Sequence, residues 1–110
     1  MVYHASLAGG RWYQLSLFEQ MGNIASEVGR MLRWQTRDRH RFELAFWRAL
    51  ELIDLTRSDA RWRTPSKLKE LSRFRELLVD AASGGHTYAS DLVALERYLY
   101  PFALGARLKK

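Results

Sequence analysis

Ser16-Leu-Phe-Glu-Gln-Met-Gly-Asn-Ile-Ala-Ser-Glu-Val-Gly-Arg-Met-Leu-Arg-Trp-Gln35 is the stretch on which the fold turns. Leu17, Met21, Ile24, Val28, Met31 and Gln35 fall at steps of 4, 3, 4, 3 and 4, the spacing of one helical face, and Phe18, Ala25 and Leu32 widen that stripe. Ser16 stands where its hydroxyl can accept a free amide of the first turn, and Glu19 three residues later completes a capping box. Gly22, Ser26 and Gly29 line a ridge beside the stripe. Each Gly inside a helix costs about 1 kcal/mol relative to Ala, so the ridge predicts a closely packed neighbour.

Three further segments repeat the helical period, and none alternates like a strand. From Asp38 to Thr56, Phe42, Ala45, Phe46, Ala49, Leu50, Leu52 and Ile53 form an apolar side that leaves Leu44, Trp47 and Leu55 outside it. Thr64-Pro65 opens the third segment, because a threonine cap followed by proline loses no amide the helix needs. Leu68, Leu71, Phe74, Leu78 and Ala81 or Ala82 give its face, and Gly84-Gly85 ends it. The fourth segment is expected to start at Ser90, to use Leu92, Leu95, Leu99, Phe102 and Ala106, and to bend near Pro101.

The connections are short, spanning Thr36 to Arg37, Arg57 to Thr64 and Ser83 to Ala89, which favours antiparallel neighbours. The expected fold is therefore all-α, an antiparallel up-down-up-down four-helix bundle. Its core should include Met21, Ile24, Val28, Phe46, Leu50, Ile53, Leu71, Leu78, Leu95 and Leu99. Residues 1–15 fall outside the pattern as an N-terminal extension to a single domain over 16–110. Gly9-Gly10 interrupts that extension, and Trp12 with Tyr13 is expected to fold across an open end of the bundle.

At 110 residues the chain is one domain, long enough to hold a core without metal or disulfide. The absence of cysteine excludes disulfides, thiolate metal sites and thiol nucleophiles. No stretch approaches the roughly 20 apolar residues of a membrane span, and Met1-Val-Tyr-His-Ala-Ser-Leu7 lacks the pattern of a secretory signal. A cytoplasmic protein with no membrane contact and no cofactor is expected.

Charge carries most of the functional information. The net charge is +6, and arginine outnumbers lysine 14 to 4. Arg30, Arg33, Arg37, Arg39 and Arg41 gather around the first connection with Trp34 among them. Arg57, Arg61, Arg63, Lys67, Lys69, Arg73 and Arg75 form a second group around Trp62. Planar guanidinium groups suit phosphate contacts, and cations interleaved with aromatic faces resemble single-strand and RNA-binding surfaces. Antiparallel packing puts the two connections at opposite ends, so the groups need not form one patch. The opposing reading is a solvated face whose arginines pair with Glu43, Glu51 or Glu76. Arg75 interrupts the apolar seam between Leu71 and Leu78, so a buried ion pair with Glu27, Glu51 or Asp54 is expected to hold it.

Catalytic patterns are sparse. Arg33 and His40, with six residues between them, match the loose Arg-to-His spacing of helical ribonucleases, but a chain this rich in arginine yields about one such match by chance. Glu51 and Asp54 share a helical face but lack a facing acidic pair for a magnesium site, and Glu76 and Asp80 lie on another helix. His4 and His86 fall in loops without ligand partners, and there is no Gly-rich phosphate loop or nucleophile elbow. Neither a catalytic nor a metal site is expected.

Asn23-Ile-Ala-Ser-Glu-Val-Gly-Arg30, Ala49-Leu-Glu-Leu-Ile-Asp-Leu-Thr56 and Lys67-Leu-Lys-Glu-Leu-Ser-Arg-Phe-Arg-Glu76 resemble blocks of a family of small uncharacterised prokaryotic helical proteins. In architecture the chain is also similar to the basic four-helix proteins of ribosomal RNA intervening sequences, to accessory proteins of diversity-generating retroelements, and to small helical subunits of CRISPR effector complexes. These resemblances imply a ring-forming or assembly-bound accessory protein that engages RNA or a reverse transcriptase. RNA or single-stranded nucleic acid is thus the expected ligand, held by arginines of both groups. A homo-oligomer or a protein partner is expected as well, since Leu44, Trp47, Leu55 and the small-residue ridge lie off the core face. A protein-interaction scaffold without nucleic-acid binding is the alternative.

Overall fold

The computed structural model describes residues 10–85 and 91–108, with the side chains of 106–108 outside that description. Among the described residues are four α-helices and no strand: α1 Leu17–Trp34, α2 Arg39–Arg57, α3 Pro65–Ala82 and α4 Leu92–Leu108. Short 3-10 turns at Arg11–Gln14 and Ala60–Trp62 precede α1 and α3.

Helix ends lie where polar side chains satisfy the free amides. Ser16 Oγ accepts the Glu19 amide at 3.2 Å and Glu19 Oε1 accepts the Ser16 amide at 3.0 Å, so the capping box is reciprocal. Asp38 accepts the Arg41 amide at 3.1 Å to start α2, and Thr64 accepts the Lys67 amide at 3.3 Å to start α3. At the end of α3 the Gly85 amide donates to the Asp80 carbonyl at 2.7 Å and the Gly84 amide to the Ala81 carbonyl at 3.3 Å. With φ of 102° at Gly84, this is a Schellman termination that a side chain would strain. The fourth helix corrects the expected start: it begins at Leu92, where Asp91 Oδ1 accepts the Ala94 amide at 2.8 Å. A carboxylate also complements the helix dipole, which a hydroxyl does not. Ser90, the expected cap, lies outside the described residues, as do His4, His86 and the Ala106 side chain. α4 runs on through Pro101.

α1 packs against both α2 and α4, and α3 bridges those two from the other side. Met21, Ile24, Val28 and Met31 of α1 meet a face of α2 on which Ala45 and Ala49 are buried, small enough to let the backbones approach. Leu50, Leu52, Ile53, Leu71, Phe74, Leu78, Leu92, Leu95 and Leu99 fill the rest of the core. Phe46 departs from expectation, being half-buried at the core's edge. Rings link three helices along one flank: Phe18 to Phe102 at 5.5 Å, Phe102 to Tyr98 at 6.0 Å and Tyr98 to Phe74 at 5.7 Å. Burial, reinforced by the carboxylate of Glu70 that accepts its hydrogen bond at 2.5 Å, pushes the Tyr98 phenol up to about 12.

α4 packs beside the small-residue ridge of α1, at an ordinary distance where Gly29 stands. A Cβ on Gly29 would stand 3.5 Å from Glu96 Oε2, an ordinary contact, and Ser26 turns its hydroxyl to the Gly22 carbonyl. The tight glycine is Gly105 of α4, where a Cβ would come within 2.6 Å of Phe18 Cδ1. Of the three α2 residues outside the apolar side, Leu55 packs half-buried against the core, Leu44 is half-buried and Trp47 is 51% exposed.

Trp12 folds across an end of the bundle as expected, and goes further, into the core. It belongs to a 3-10 turn, and its side chain is fully buried, with Nε1 donating to Thr56 Oγ1 at 3.1 Å. Thr56 in turn donates to the Leu52 carbonyl at 2.8 Å, so the indole N–H finds its partner without leaving a donor unpaired. Residues 10–15 are thus part of the core structure. Replacing a fully buried Trp by Ala costs about 3–5 kcal/mol, whereas surface changes fall within about 0.5 kcal/mol. Urea unfolding should therefore show a large drop in midpoint for Trp12→Ala and almost none for Trp47→Ala. Equal drops would contradict this assignment.

Candidate nucleic-acid interface

The two arginine groups sit at opposite ends of α1. Arg41 stacks its guanidinium over the Trp34 ring at 4.5 Å, at the last residue of α1, whereas Arg61 donates to the Leu15 carbonyl at 2.6 Å just before its first residue. Eighteen helical residues separate these points by about 27 Å.

At the second end the charges are drawn into the fold. Asp59 is 3% exposed, and its carboxylate accepts the Arg61 amide at 3.0 Å, Arg61 Nε at 3.1 Å, Arg61 Nη2 at 2.7 Å and Gln20 Nε2 at 2.9 Å. The Arg61 side chain and then Gln20 hold this carboxyl below its ordinary range against the opposing effect of burial, and Asp59 in return raises Arg61. Trp62 donates from Nε1 to Gln20 Oε1 at 2.9 Å and lies under the Arg61 guanidinium at 4.6 Å. Arg57 pairs with Asp54 at 3.2 Å, Arg75 with the same carboxylate at 2.9 Å, and Arg73 with Glu76 at 3.6 Å. Asp54 is thus the partner expected for Arg75, but the pair is partly solvated, with side chains 35% and 47% exposed. Arg63 donates to the Arg57 carbonyl at 3.4 Å. Lys67 and Lys69 are exposed and have no ion pair among the described residues.

At the first end the side chains converge on an open pocket of about 240 Å³, lined by Arg30, Trp34, Arg41, Leu44, Ala45 and Arg48. Helical spacing builds it. Positions 30 and 34 share a face of α1, and 41, 44, 45 and 48 share one of α2. Arg30 is steadied by Glu27 at 3.1 Å and Arg41 by Asp38 at 3.4 Å, while half-buried Arg48 has no ion pair among the described residues. No carboxylate lines the pocket. Around it, Arg39 pairs with Glu43 at 2.9 Å and lies over Phe42 at 5.3 Å. Arg33 and Arg37 are exposed and have no ion pair among the described residues. Arg48 and Leu44 were absent from the residues expected at the interface, although the 41, 44, 45, 48 spacing could have indicated them.

For catalysis the same region offers little geometry. Arg33 in the last turn of α1 and His40 in the first turn of α2 are both exposed, and no hydrogen bond joins them among the described residues. Asp54 is occupied by Arg57 and Arg75. Among the described residues no group of three His, Asp or Glu side chains could hold a metal ion, and no helix is long and apolar enough to cross a membrane. Comparison with family models, curated proteins and solved structures finds no match to this chain.

The Asp59 arrangement carries a pH signature. A carboxyl whose folded pKa lies below the ordinary 3.8 stabilises the fold fully above that value and loses the contribution as pH falls through its lowered folded pKa. Urea midpoints should drop on going from neutral pH to about pH 3. Asp59→Asn should lower the midpoint at neutral pH and remove part of that acid-dependent drop. An unchanged drop in the variant would assign the acid sensitivity elsewhere.

Proposed function

We propose that this chain is a non-enzymatic, basic accessory protein that binds RNA or single-stranded nucleic acid through the arginines around the α1–α2 connection, within a larger assembly. One observation supports the reading above the rest: Arg30, Arg41 and Arg48 meet beside Trp34 around a cavity that no carboxylate lines. At the second end, by contrast, Arg57, Arg61 and Arg75 turn to Asp54 and Asp59. The reading narrows the interface to Arg30, Arg33, Trp34, Arg37, Arg39, Arg41 and Arg48, with exposed Arg63, Lys67 and Lys69 as a separate, weaker contact. Arg57, Arg61 and Trp62 are given structural roles in it. An up-down-up-down course for the four helices fits it, since α1 meets Arg41 at one end and the α2–α3 connection at the other. A cytoplasmic location follows from the ligand class.

A second reading, a protein-interaction scaffold, has its own support. Val93, Tyr100 and Leu104 are 49%, 62% and 41% exposed and recur at steps of 7 and 4 along α4. An apolar stripe of this kind marks interfaces between proteins.

Phosphate neutralisation should dominate binding, so affinity for unrelated single strands should fall with salt at about −0.7 in log-log slope per phosphate contacted. Replacing Arg33, Arg37, Arg39 and Arg41 together by Ala should weaken binding while leaving the helical circular dichroism signal intact. No measurable binding at low salt would reject the proposal. Equal affinity for a polyacidic protein would favour the scaffold.

A further inference from the structure

From the α1–α2 pocket we infer a subsite for one nucleotide unit of a single strand, in which the guanidinium groups hold a backbone phosphodiester and the Trp34–Leu44 wall receives the unstacked base. This assignment rests on the nucleic-acid reading above and adds which chemical unit the pocket selects.

Size comes first. Pockets that enclose a complete small molecule run to about 300–1,000 Å³. A volume of about 240 Å³ is too small for a free dinucleotide or a cofactor, but suits a fragment delivered by a longer polymer. Charge narrows the fragment. Three arginines line the pocket, Glu27 pairs with one at 3.1 Å and Asp38 with another at 3.4 Å, leaving a formal excess of one positive charge on Arg48. One phosphodiester carries one negative charge, whereas a terminal phosphate carries nearly two at neutral pH. The local balance therefore matches an internal backbone position better than a free nucleotide or a chain end.

The two existing ion pairs also preorganise the site. The Glu27 side chain is 8% exposed and fixes Arg30, and Asp38 sits at the start of α2 and fixes Arg41 over Trp34. Less side-chain freedom is then lost when the anion arrives. Trp34, half-buried against the core with the Arg41 guanidinium over its ring, gives the pocket a rigid aromatic wall, and such walls take bases. Bases of a duplex are stacked and paired, so only an unpaired strand can place one there.

The test compares the wild-type protein with Arg48→Gln, Trp34→Ala and Arg11→Gln. The ligands are a labelled single-stranded RNA about ten nucleotides long, within single-strand site sizes, an abasic sugar-phosphate chain of equal length, and the matching duplex. Arg48→Gln should weaken single-strand binding about tenfold and reduce the salt slope by about 0.7. Trp34→Ala should weaken the base-bearing strand about tenfold and leave the abasic chain unchanged. Arg11→Gln, which removes one exposed positive charge outside both arginine groups, should match wild type, and the duplex should bind less tightly than the single strand. Urea midpoints check folding, and Trp34→Leu, which keeps bulk without the aromatic face, replaces Trp34→Ala if the latter unfolds. If the wild type binds single strands but Arg48→Gln or the Trp34 variant binds like it, the subsite is wrong and the broader reading stands. The subsite also fails, alone, if the Trp34 variant weakens the abasic chain as much. If the wild type binds nothing at low salt, both fall.

Discussion

The buried carboxamide of Gln20 constrains the rest of this structure. With no exposure to solvent, it has to satisfy two N–H donors and a carbonyl internally, or bear the cost of unpaired polar atoms. It donates to the Trp12 carbonyl at 3.0 Å and to Asp59 at 2.9 Å, and accepts from Trp62 at 2.9 Å. One bond reaches the N-terminal turn, and the other two reach the α2–α3 connection, at Asp59, which caps its 3-10 turn, and at Trp62, which ends that turn. Once the carboxamide is buried on α1, Asp59 is brought inside with it, and a buried carboxylate requires a cation, which Arg61 supplies. Trp12 is then seated over Thr56, closing that end of the core.

This knot divides the arginines between two kinds of work. Around Asp59 and Asp54 their donors face protein carboxylates and carbonyls, and losing one would expose a buried or shared acid. Around the α1–α2 connection the ion pairs run along one helix or its cap, as in Arg39 with Glu43. Exposed pairs such as Arg39–Glu43 contribute only about 0–1 kcal/mol, so a phosphate can compete for that arginine at little loss of stability, whereas the buried Glu27 keeps Arg30 in place. Arg48 has no acid to leave among the described residues. Formal charge alone makes the two ends look alike; hydrogen-bond geometry makes them different.

Features that depend on near neighbours in the chain were legible in the sequence. The Ser16–Glu19 box, the Thr64–Pro65 start, the Asp38 cap and the Gly84–Gly85 stop each involve residues within one turn, and the apolar period placed all of the expected core residues except Phe46. Features set by distant partners were not. Trp12 reaches Thr56 and Trp62 reaches Gln20 across more than 40 residues, and no local pattern records either bond. Arg61 reads as a ligand-facing cation in the sequence because no local pattern shows that Asp59, two residues before it, is buried. Arg48 was passed over for the opposite reason: it sits mid-helix, away from the arginine-rich connection, yet seven residues after Arg41 it returns to the same face. α4 begins at Leu92 behind Asp91, two residues after the expected start at Ser90.

The central claim is that arginines at one end of α1 are available to an anionic strand while those at the other end belong to the fold. A titration of the isotope-labelled protein with short single-stranded RNA, followed by backbone amide and tryptophan indole resonances, tests it directly. The account predicts shifts confined to the ends of α1 and α2 that meet at their connection, including the Trp34 indole, with the Trp12 and Trp62 indoles unmoved. Shifts centred on Arg61 and Trp62, with Trp34 silent, would contradict it.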